Sequence, residues 1–155
     1  MTAGKVTPVD MRDVEAIRSL KLRYAELCDT GYDPDELTAL FVDDGIFEVT
    51  GQVHYQGREQ LREHWVNVGG RIQFALHFIT NHLIEVDPSG TQAEGRPYTL
   101  CAAYMDGAAY WQGLRYRERY RKIDDRWYFA HVHMTVEFST PYNESWASQI
   151  ASAPV

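Results

Sequence analysis

The clearest structural signal in this sequence is the segment Arg115-Tyr116-Arg117-Glu118-Arg119-Tyr120-Arg121. Residue types alternate strictly along it, with arginine at every odd position and tyrosine or glutamate at every even one. Successive side chains of a β-strand point to opposite faces, so this period of two predicts a strand with an outer face of arginines. The inner face then carries Tyr116, Glu118 and Tyr120, and Glu118 needs a partner because a carboxylate is costly to bury alone.

The chain around this segment reads as more strands. Strands are predicted at 74–86, 91–105, 108–123 and 127–138, with turns at Asp87-Pro88-Ser89-Gly90, Asp106-Gly107 and Asp124-Asp125. His77 and His82 lie in the first of these strands, five positions apart. Because five is odd, His82 is expected to face away from His77.

The N-terminal half carries helical patterns instead. The first helix is predicted to start with Thr7 as N-cap and Pro8 and to end at Gly31, since Val14, Ile17, Leu20, Tyr24, Leu27 and Cys28 recur at helical spacing. A short second helix follows Asp33-Pro34 and ends near Phe41, and a third spans 58–68. A strand is predicted at 46–49, a loop or short hairpin at 51–57, and a short tail helix at 144–150.

Helices followed by long strands indicate an α+β fold. We expect one domain over residues 1–155, with three N-terminal helices packed on one face of a strongly curved antiparallel sheet. Such a sheet forms a cone that leaves a cavity inside. Residues 1–6 and 147–155 are expected to be flexible.

Composition narrows the function. The 155 residues carry a net charge of −7 and no basic tract, which argues against nucleic-acid binding. The two cysteines, Cys28 and Cys101, make no disulfide framework and are expected to be buried thiols in a reducing compartment. No stretch is as long and apolar as a membrane span. A cytoplasmic enzyme or binding protein is the expectation.

Three reactive side chains stand out. Tyr24 and Asp29 lie late in the first predicted helix, and His77 lies in the middle of the sequence. A carboxylate hydrogen-bonded to an imidazole fixes its tautomer, and imidazole exchanges protons near neutral pH. If the fold brings the three together, they suffice for acid–base chemistry without a cofactor.

Four motifs in order resemble the NTF2-like superfamily and, within it, the SnoaL-like cyclase and dehydratase group. They cover about residues 14–138 and are Ile17-x2-Leu20-Lys21-x2-Tyr24-x4-Asp29, Leu40-Phe41-x-Asp43-Asp44, His77-x3-Asn81-x2-Ile84-Glu85-Val86-Asp87, and Tyr116 to Tyr120 followed by 125–130. The chain looks closest to the cofactor-independent branch that includes bile-acid 7α-dehydratase, scytalone dehydratase and lindane dehydrochlorinase.

The resemblance implies a catalytic Asp–His pair, and Asp29 and His77 fall at the matching positions. Tyr24 matches a tyrosine in the pocket of the bile-acid enzyme. Cys101 stands where that enzyme has an acidic residue, and His131-Val132-His133 stands where many relatives carry an arginine. The substrate is therefore expected to differ, and no cofactor is expected.

The remaining candidate site residues are expected to bind substrate. Aromatic residues predicted to form the apolar wall are Trp65, Phe74, Phe78 and Tyr98. The others expected to line the pocket are Cys101, Tyr116, Glu118 and His131. His131 and His133 share one strand face, but His77 is the only third metal ligand in prospect, so pocket lining or an oligomer contact is the preferred reading.

Two functions remain open from the sequence. The first is a dehydratase- or cyclase-type lyase or isomerase acting on a hydrophobic cyclic molecule such as a steroid, polyketide or terpenoid. The second is a non-catalytic small-molecule-binding module with the same fold. An NTF2-like epoxide hydrolase would need an Asp–Arg–Asp arrangement, whose spacing is not evident. A homo-oligomer, dimer or trimer, is expected.

Overall fold

The computed structural model describes residues 11–147. Its elements are α1 (Met11–Asp29), α2 (Pro34–Ala39), β1 (Phe41–Val49), β2 (Val53–Gln56), α3 (Gly57–Gly69), β3 (Ile72–Val86), β4 (Gln92–Met105), β5 (Ala108–Ile123) and β6 (Arg126–Pro141). The predicted α+β order, three helices before the long strands, is confirmed. Three predictions lie outside the described residues. They are the start of α1 at Thr7 and Pro8, the flexibility of residues 1–6 and of all but the first residue of 147–155, and most of the tail helix.

The sheet has six strands in the order β2-β1-β6-β5-β4-β3. The long strands β3 to β6 pair antiparallel, as expected. The β1 strand, however, pairs parallel with β6, so the sheet is mixed and not antiparallel throughout. Residues 51–57 do form a short hairpin, because β2 pairs antiparallel with β1.

Local sequence explains where the elements begin and end. Asp33 caps α2, since its carboxylate accepts hydrogen bonds from the backbone N–H groups of Asp35 at 3.1 Å and Glu36 at 2.9 Å. The β5–β6 connection has two residues, Asp124 and Asp125, with φ of 47° and 60°. Two successive left-handed residues match the twist of a tight hairpin, so these acidic residues set the register of the two longest strands.

The helices cover one face of the sheet and bury a core between them. The arginines of the alternating segment are exposed, while Tyr116, Glu118 and Tyr120 are buried, so the predicted faces of β5 are correct. We call the helix-covered side the inner face and the opposite side the outer face. No helix within residues 11–147 is long and apolar enough to cross a membrane.

A β-bulge in β3 changes the face of its second half. The pairing of β3 with β4 shifts between Thr80 and Leu83, and Asn81 adopts a left-handed φ of 50°. The extra residue turns His82 inward, where its Nε2 lies 3.2 Å from the Tyr120 hydroxyl. The prediction that His82 faces away from His77, made from their odd separation along the strand, is therefore wrong.

Candidate active site

The end of α1 places Asp29 against the sheet. Asp29 is the last residue of the helix, and Gly31 then turns the chain with a φ of 109°. Tyr32 follows with a φ of 58°, and its backbone N–H donates to the Leu27 carbonyl at 2.9 Å. This closing bond satisfies a carbonyl that the helix leaves open and holds the carboxylate beside β3.

His77 reaches the carboxylate from the middle of β3. Its ring Nδ1 lies 2.6 Å from Asp29 Oδ1, and its backbone N–H donates to Oδ1 and Oδ2 at 3.1 Å each. An ionised carboxylate can only accept, so Nδ1 carries the proton and Nε2 keeps its lone pair. The structure thus brings together the two residues that the sequence singled out and leaves Nε2 able to accept a proton.

The pair is sheltered from water without being sealed. The side chain of His77 is 8% exposed and that of Asp29 is 21% exposed. Partial burial strengthens a charge-assisted hydrogen bond because fewer water molecules compete for either partner. An imidazolium formed at His77 would therefore be stabilised directly by Asp29.

Phenols and thiols surround the pair on the inner face. Cys101 lies directly opposite His77 in the β3–β4 register, and Tyr24 and Cys28 project from the buried side of α1. Burial is the main cause that raises the pKa of Tyr24 and Tyr116 well above its ordinary value, and the nearby Cys28 thiol raises both further. Both phenols are therefore protonated at neutral pH and are able to donate a hydrogen bond.

Tyr32 belongs to this group, although no sequence motif singled it out. Its side chain is buried, and its pKa is raised well above the ordinary value, first by burial and then by Cys28, Cys101, Tyr116 and Asp29. The signal was the Gly31-Tyr32 dipeptide directly after the helix. A left-handed tyrosine is uncommon, and only the structure shows that this turn points the ring inward.

Neither cysteine is suited to act as a nucleophile. The pKa of Cys28 and of Cys101 is raised to about 12, mainly by burial and in smaller part by the nearby Asp29 carboxylate. The thiolate is the nucleophilic form, and it is scarce at neutral pH under these conditions. Cys101 therefore contributes a neutral thiol to the wall of the site.

Glu118 has the partner that its burial requires. That partner is Lys21 of α1, whose Nζ lies 2.6 Å from Glu118 Oε1. The arginines of β5 are all on the outer face, so the partner of Glu118 comes from a helix. Lys21 sits one turn before Tyr24 on the same side of the helix, so the salt bridge lies next to the phenols.

Three predicted wall residues lie on the other side of the sheet. Phe74, Phe78 and Tyr98 are 52%, 50% and 42% exposed, and they alternate with the inward residues His77 and Cys101. Their side chains therefore point away from the Asp29–His77 contact. The expectation that they form the apolar wall of the site is corrected, because it ignored the period of two that separates these positions from His77.

Trp65 is a core residue. It is 1% exposed and packs edge-on against Tyr24, with ring centroids 5.9 Å apart, and against Phe47 at 5.0 Å. This contact supports the Tyr24 ring on its core side. Trp65 was expected to contact substrate, but in the structure it packs within the core.

His131 also lies on the outer face, opposite the predicted position. It pairs in register with Arg119, which donates to His131 Nδ1 at 2.6 Å, so His131 Nε2 carries the proton and donates to Glu48 Oε1 at 2.8 Å. His133 bonds Thr50 Oγ1 through Nε2 at 2.7 Å. Among residues 11–147, no three His, Cys, Asp or Glu side chains are arranged to hold a metal ion.

Comparison with known proteins identifies the family of the chain. A family model described as the SnoaL-like domain matches residues 9–133. The chain belongs to this family. The resemblance inferred from the sequence motifs is therefore confirmed, and the fold is NTF2-like. No curated protein sequence matches the chain at a significant level.

Solved structures with the same fold include proteins named for elimination reactions. A candidate scytalone dehydratase from Novosphingobium aromaticivorans DSM 12444 is 23% identical, with a TM-score of 0.78 over 93% of this chain and 97% of that one. The hexachlorocyclohexane dehydrochlorinase LinA-type3 from Novosphingobium barchaimii LL02 is 22% identical, with a TM-score of 0.77 over 87% and 93%. A protein of unknown function from Mycobacterium tuberculosis is 26% identical, with a TM-score of 0.75 over 97% and 83%.

Proposed function

We propose that this protein is a cofactor-independent lyase or isomerase of the dehydratase type, in which His77 is the general base and Asp29 its orienting partner. The observation that carries the proposal is the 2.6 Å contact between His77 Nδ1 and Asp29 Oδ1. It leaves Nε2 as the only ring nitrogen that can accept a proton from substrate. The elimination chemistry named for two proteins of the same fold is the chemistry that such a base performs.

The reaction step follows from these groups. Nε2 takes a proton from carbon, the electrons of that C–H bond form a double bond, and the bond to the leaving oxygen breaks. That oxygen departs with a proton, supplied by the imidazolium or through the hydroxyl of Tyr24 or Tyr116. Asp29 stabilises the imidazolium, and no electrons enter or leave.

The proposed substrate is a hydrophobic cyclic molecule with an oxygen substituent, such as a steroid, polyketide or terpenoid. Three apolar inner-face residues are buried on these strands and the next one, Ala75 in β3, Ala103 in β4 and Leu114 in β5. The phenols of Tyr24, Tyr32 and Tyr116 supply donors for oxygen. A mostly apolar ligand with few polar atoms matches this composition.

A panel of cyclic β-hydroxy ketones tests the reaction, because elimination of water gives a conjugated enone with a new ultraviolet absorption. The wild-type protein should release enone from at least one member, and the His77→Gln variant should not, while both keep the same circular dichroism spectrum. Turnover retained by His77→Gln would reject His77 as the base. Binding of the panel without turnover by the wild type would identify a non-catalytic binding module instead.

We also propose that the protein assembles with copies of itself through the outer face of β3 and β4. Large apolar side chains, each 42–61% exposed, cluster there: Phe74, Leu76, Phe78, Leu83, Tyr98, Leu100 and Tyr104. In register, Phe74 faces Tyr104 and Phe78 faces Leu100, so the patch is continuous across the two strands. A second copy presents the same apolar patch, which is complementary to the first around a symmetry axis.

The mass in solution tests this assembly. Light scattering should give a dimer or a trimer for the wild type and a monomer for Phe78→Lys. Leu22→Lys is the matched control, since Leu22 is 51% exposed on α1, away from the patch. A monomeric wild type at micromolar concentration would overturn the proposal.

A further inference from the structure

The proposed reaction does not use the buried ion pair of Lys21 and Glu118. Their side chains are 1% and 0% exposed, and Nζ lies 2.6 Å from Oε1. Replacing such a pair by uncharged side chains of similar volume is often neutral or stabilising, because desolvation offsets the attraction. Stability alone therefore does not account for two charges in the core of this domain.

Both carboxylate oxygens of Glu118 accept hydrogen bonds, and Lys21 donates to Oε1. Tyr120 donates to Glu118 Oε2, and His82 Nε2 lies 3.2 Å from the Tyr120 oxygen. Since that hydroxyl donates to Glu118, its oxygen accepts from His82, and Nε2 carries the proton. Burial lowers the pKa of His82, which favours this neutral form.

Two local features of the backbone make room for these bonds. The bulge at Asn81 turns His82 inward, and Gly95 lies beneath Tyr120. A Cβ on Gly95 would lie 2.7 Å from the Tyr120 oxygen and 3.0 Å from His82 Nε2. The fold is thus adapted around the carboxylate that holds Lys21.

The ammonium group joins this network to the candidate site. Lys21 Nζ lies 3.6 Å from the ring centroid of Tyr116 and 4.6 Å from that of Tyr24. Both distances are within the range of cation–π attraction. One charge therefore holds a phenol of α1 and a phenol of β5 together, beside the helix end that carries Asp29.

We propose that Lys21 is a positioning residue, fixed by Glu118, that orients the phenols of Tyr24 and Tyr116 and strengthens them as hydrogen-bond donors to a substrate oxygen. This inference rests on the proposed function. A cation at the face of a phenol ring stabilises negative charge that develops on its oxygen. Glu118 supplies the counter-charge that an ammonium group buried in the core requires.

The test removes both charges at once. A single Lys21→Met change would leave the buried Glu118 without its counter-charge, so loss of folding would mask the effect. The Lys21→Met/Glu118→Gln protein keeps the side-chain volumes and leaves an amide oxygen to accept from Tyr120. Arg23→Met is the matched control, since Arg23 is an exposed residue of the same helix that pairs with Glu26 and Glu36.

The probe is 4-nitrophenolate, whose visible absorbance reports both binding and ionisation. We expect the wild type and Arg23→Met to bind it equally, and the paired variant and Tyr116→Phe each to bind at least tenfold more weakly. Adding Tyr116→Phe to the paired variant should weaken binding by no more than a further twofold, because both changes remove the same donor. A purely structural role for Lys21 would not give this non-additivity.

Three results would overturn the inference. They are a wild type that does not bind the phenolate, a folded paired variant that binds within twofold of the wild type, and fully additive effects with Tyr116→Phe. Phenolate binding requires no turnover, so failure of the proposed reaction would leave this readout intact. With a substrate in hand, the paired variant should lower kcat at least tenfold while KM changes by less than about twofold.

Discussion

Asp29 holds His77 by both its ring and its backbone. One carboxylate accepts from ring Nδ1 at 2.6 Å and from the backbone N–H at 3.1 Å through each oxygen. A carboxylate at the end of α1 therefore fixes the rotamer of a strand residue as well as its tautomer. This double hold is stronger evidence for a positioned base than ring contact alone, because it leaves the imidazole little freedom to turn.

The first prediction concerns the hydrogen bonds by which Asp29 orients the His77 ring. Asp29→Asn should leave His77 as a mixture of tautomers, since an amide both donates and accepts and no longer dictates which ring nitrogen carries the proton. Long-range ¹H–¹⁵N NMR of the histidines should show a single Nδ1–H form for the neutral imidazole of His77 in the wild type. If turnover is found, kcat should fall by on the order of 10³–10⁴-fold, as in other orienting aspartates.

His82 supplies the control for that experiment. Its Nε2–H form depends on Tyr120, not on Asp29, so its NMR signals should be unchanged in Asp29→Asn. A single His77 tautomer that survives the substitution would mean that the backbone, and not the carboxylate, sets the ring.

The sequence predicted the elements, the central pair and the two faces of β5, but it placed several residues of β3, β4 and β6 on the wrong face of the sheet. Hydrophobic periodicity located α1, α3 and the four long strands, and motif spacing singled out Asp29 and His77. Face assignment failed at two kinds of position. For Phe74, Phe78 and Tyr98, aromatic character was given more weight than strand parity, although parity alone places Phe78 opposite His77.

For His82, the regular alternation of side chains along a strand predicted the wrong face of the sheet. The bulge near Asn81 inserts one residue into β3 and reverses the faces beyond it. The parallel pairing of β1 with β6 was likewise hidden, since it joins residues about 85 positions apart, such as Ile46 and His131. Long-range pairing and single-residue bulges depend on tertiary packing, which local residue patterns do not encode.

The second prediction concerns thiol reactivity. Because burial raises the pKa of Cys28 and Cys101 to about 12, alkylation by iodoacetamide at pH 8 should be slower in the native protein than in urea by on the order of a thousandfold. Mass spectrometry of Cys28→Ala and Cys101→Ala assigns the rate to each thiol. Fast native alkylation at Cys101 would indicate an activated nucleophile and contradict the neutral role given to it here.

The third prediction concerns stability at acid pH. His64 lies between the rings of Tyr55 and Phe47, with centroids 4.5 and 4.8 Å away, and burial lowers its pKa from 6.5 to about 4. The unfolded chain therefore binds this proton more readily than the folded one. The contribution of His64 to stability is full above pH 6.5 and is lost progressively as pH falls towards 4, by up to about 3 kcal/mol.

His64→Phe should remove that dependence while keeping the ring packing. Urea unfolding from pH 7 to pH 4 should show a smaller loss of unfolding free energy in His64→Phe than in the wild type. Asn67→Ala is the control, because Asn67 is an exposed residue of the same helix without a titratable side chain, and its pH profile should follow the wild type. Parallel profiles for the wild type and His64→Phe would show that the imidazole is not held neutral by burial.

The fourth prediction concerns Gly95, where the absent side chain matters more than backbone conformation. Alanine there would place its Cβ 2.7 Å from the Tyr120 oxygen and 2.8 Å from Tyr120 Cε2, so the phenol must move off Glu118. Gly95→Ala should lower the unfolding free energy by about 1–3 kcal/mol, the usual cost of overpacking a core. The His82 ring NMR signals should shift at the same time, since its bond to Tyr120 is displaced.

Gly70→Ala is the matched control, because its Cβ would meet only the Asn67 and Val66 carbonyl oxygens at 3.6 Å, an ordinary contact. An unfolding free energy for Gly95→Ala equal to that of Gly70→Ala would mean that Tyr120 and His82 are not packed as tightly as the structure indicates.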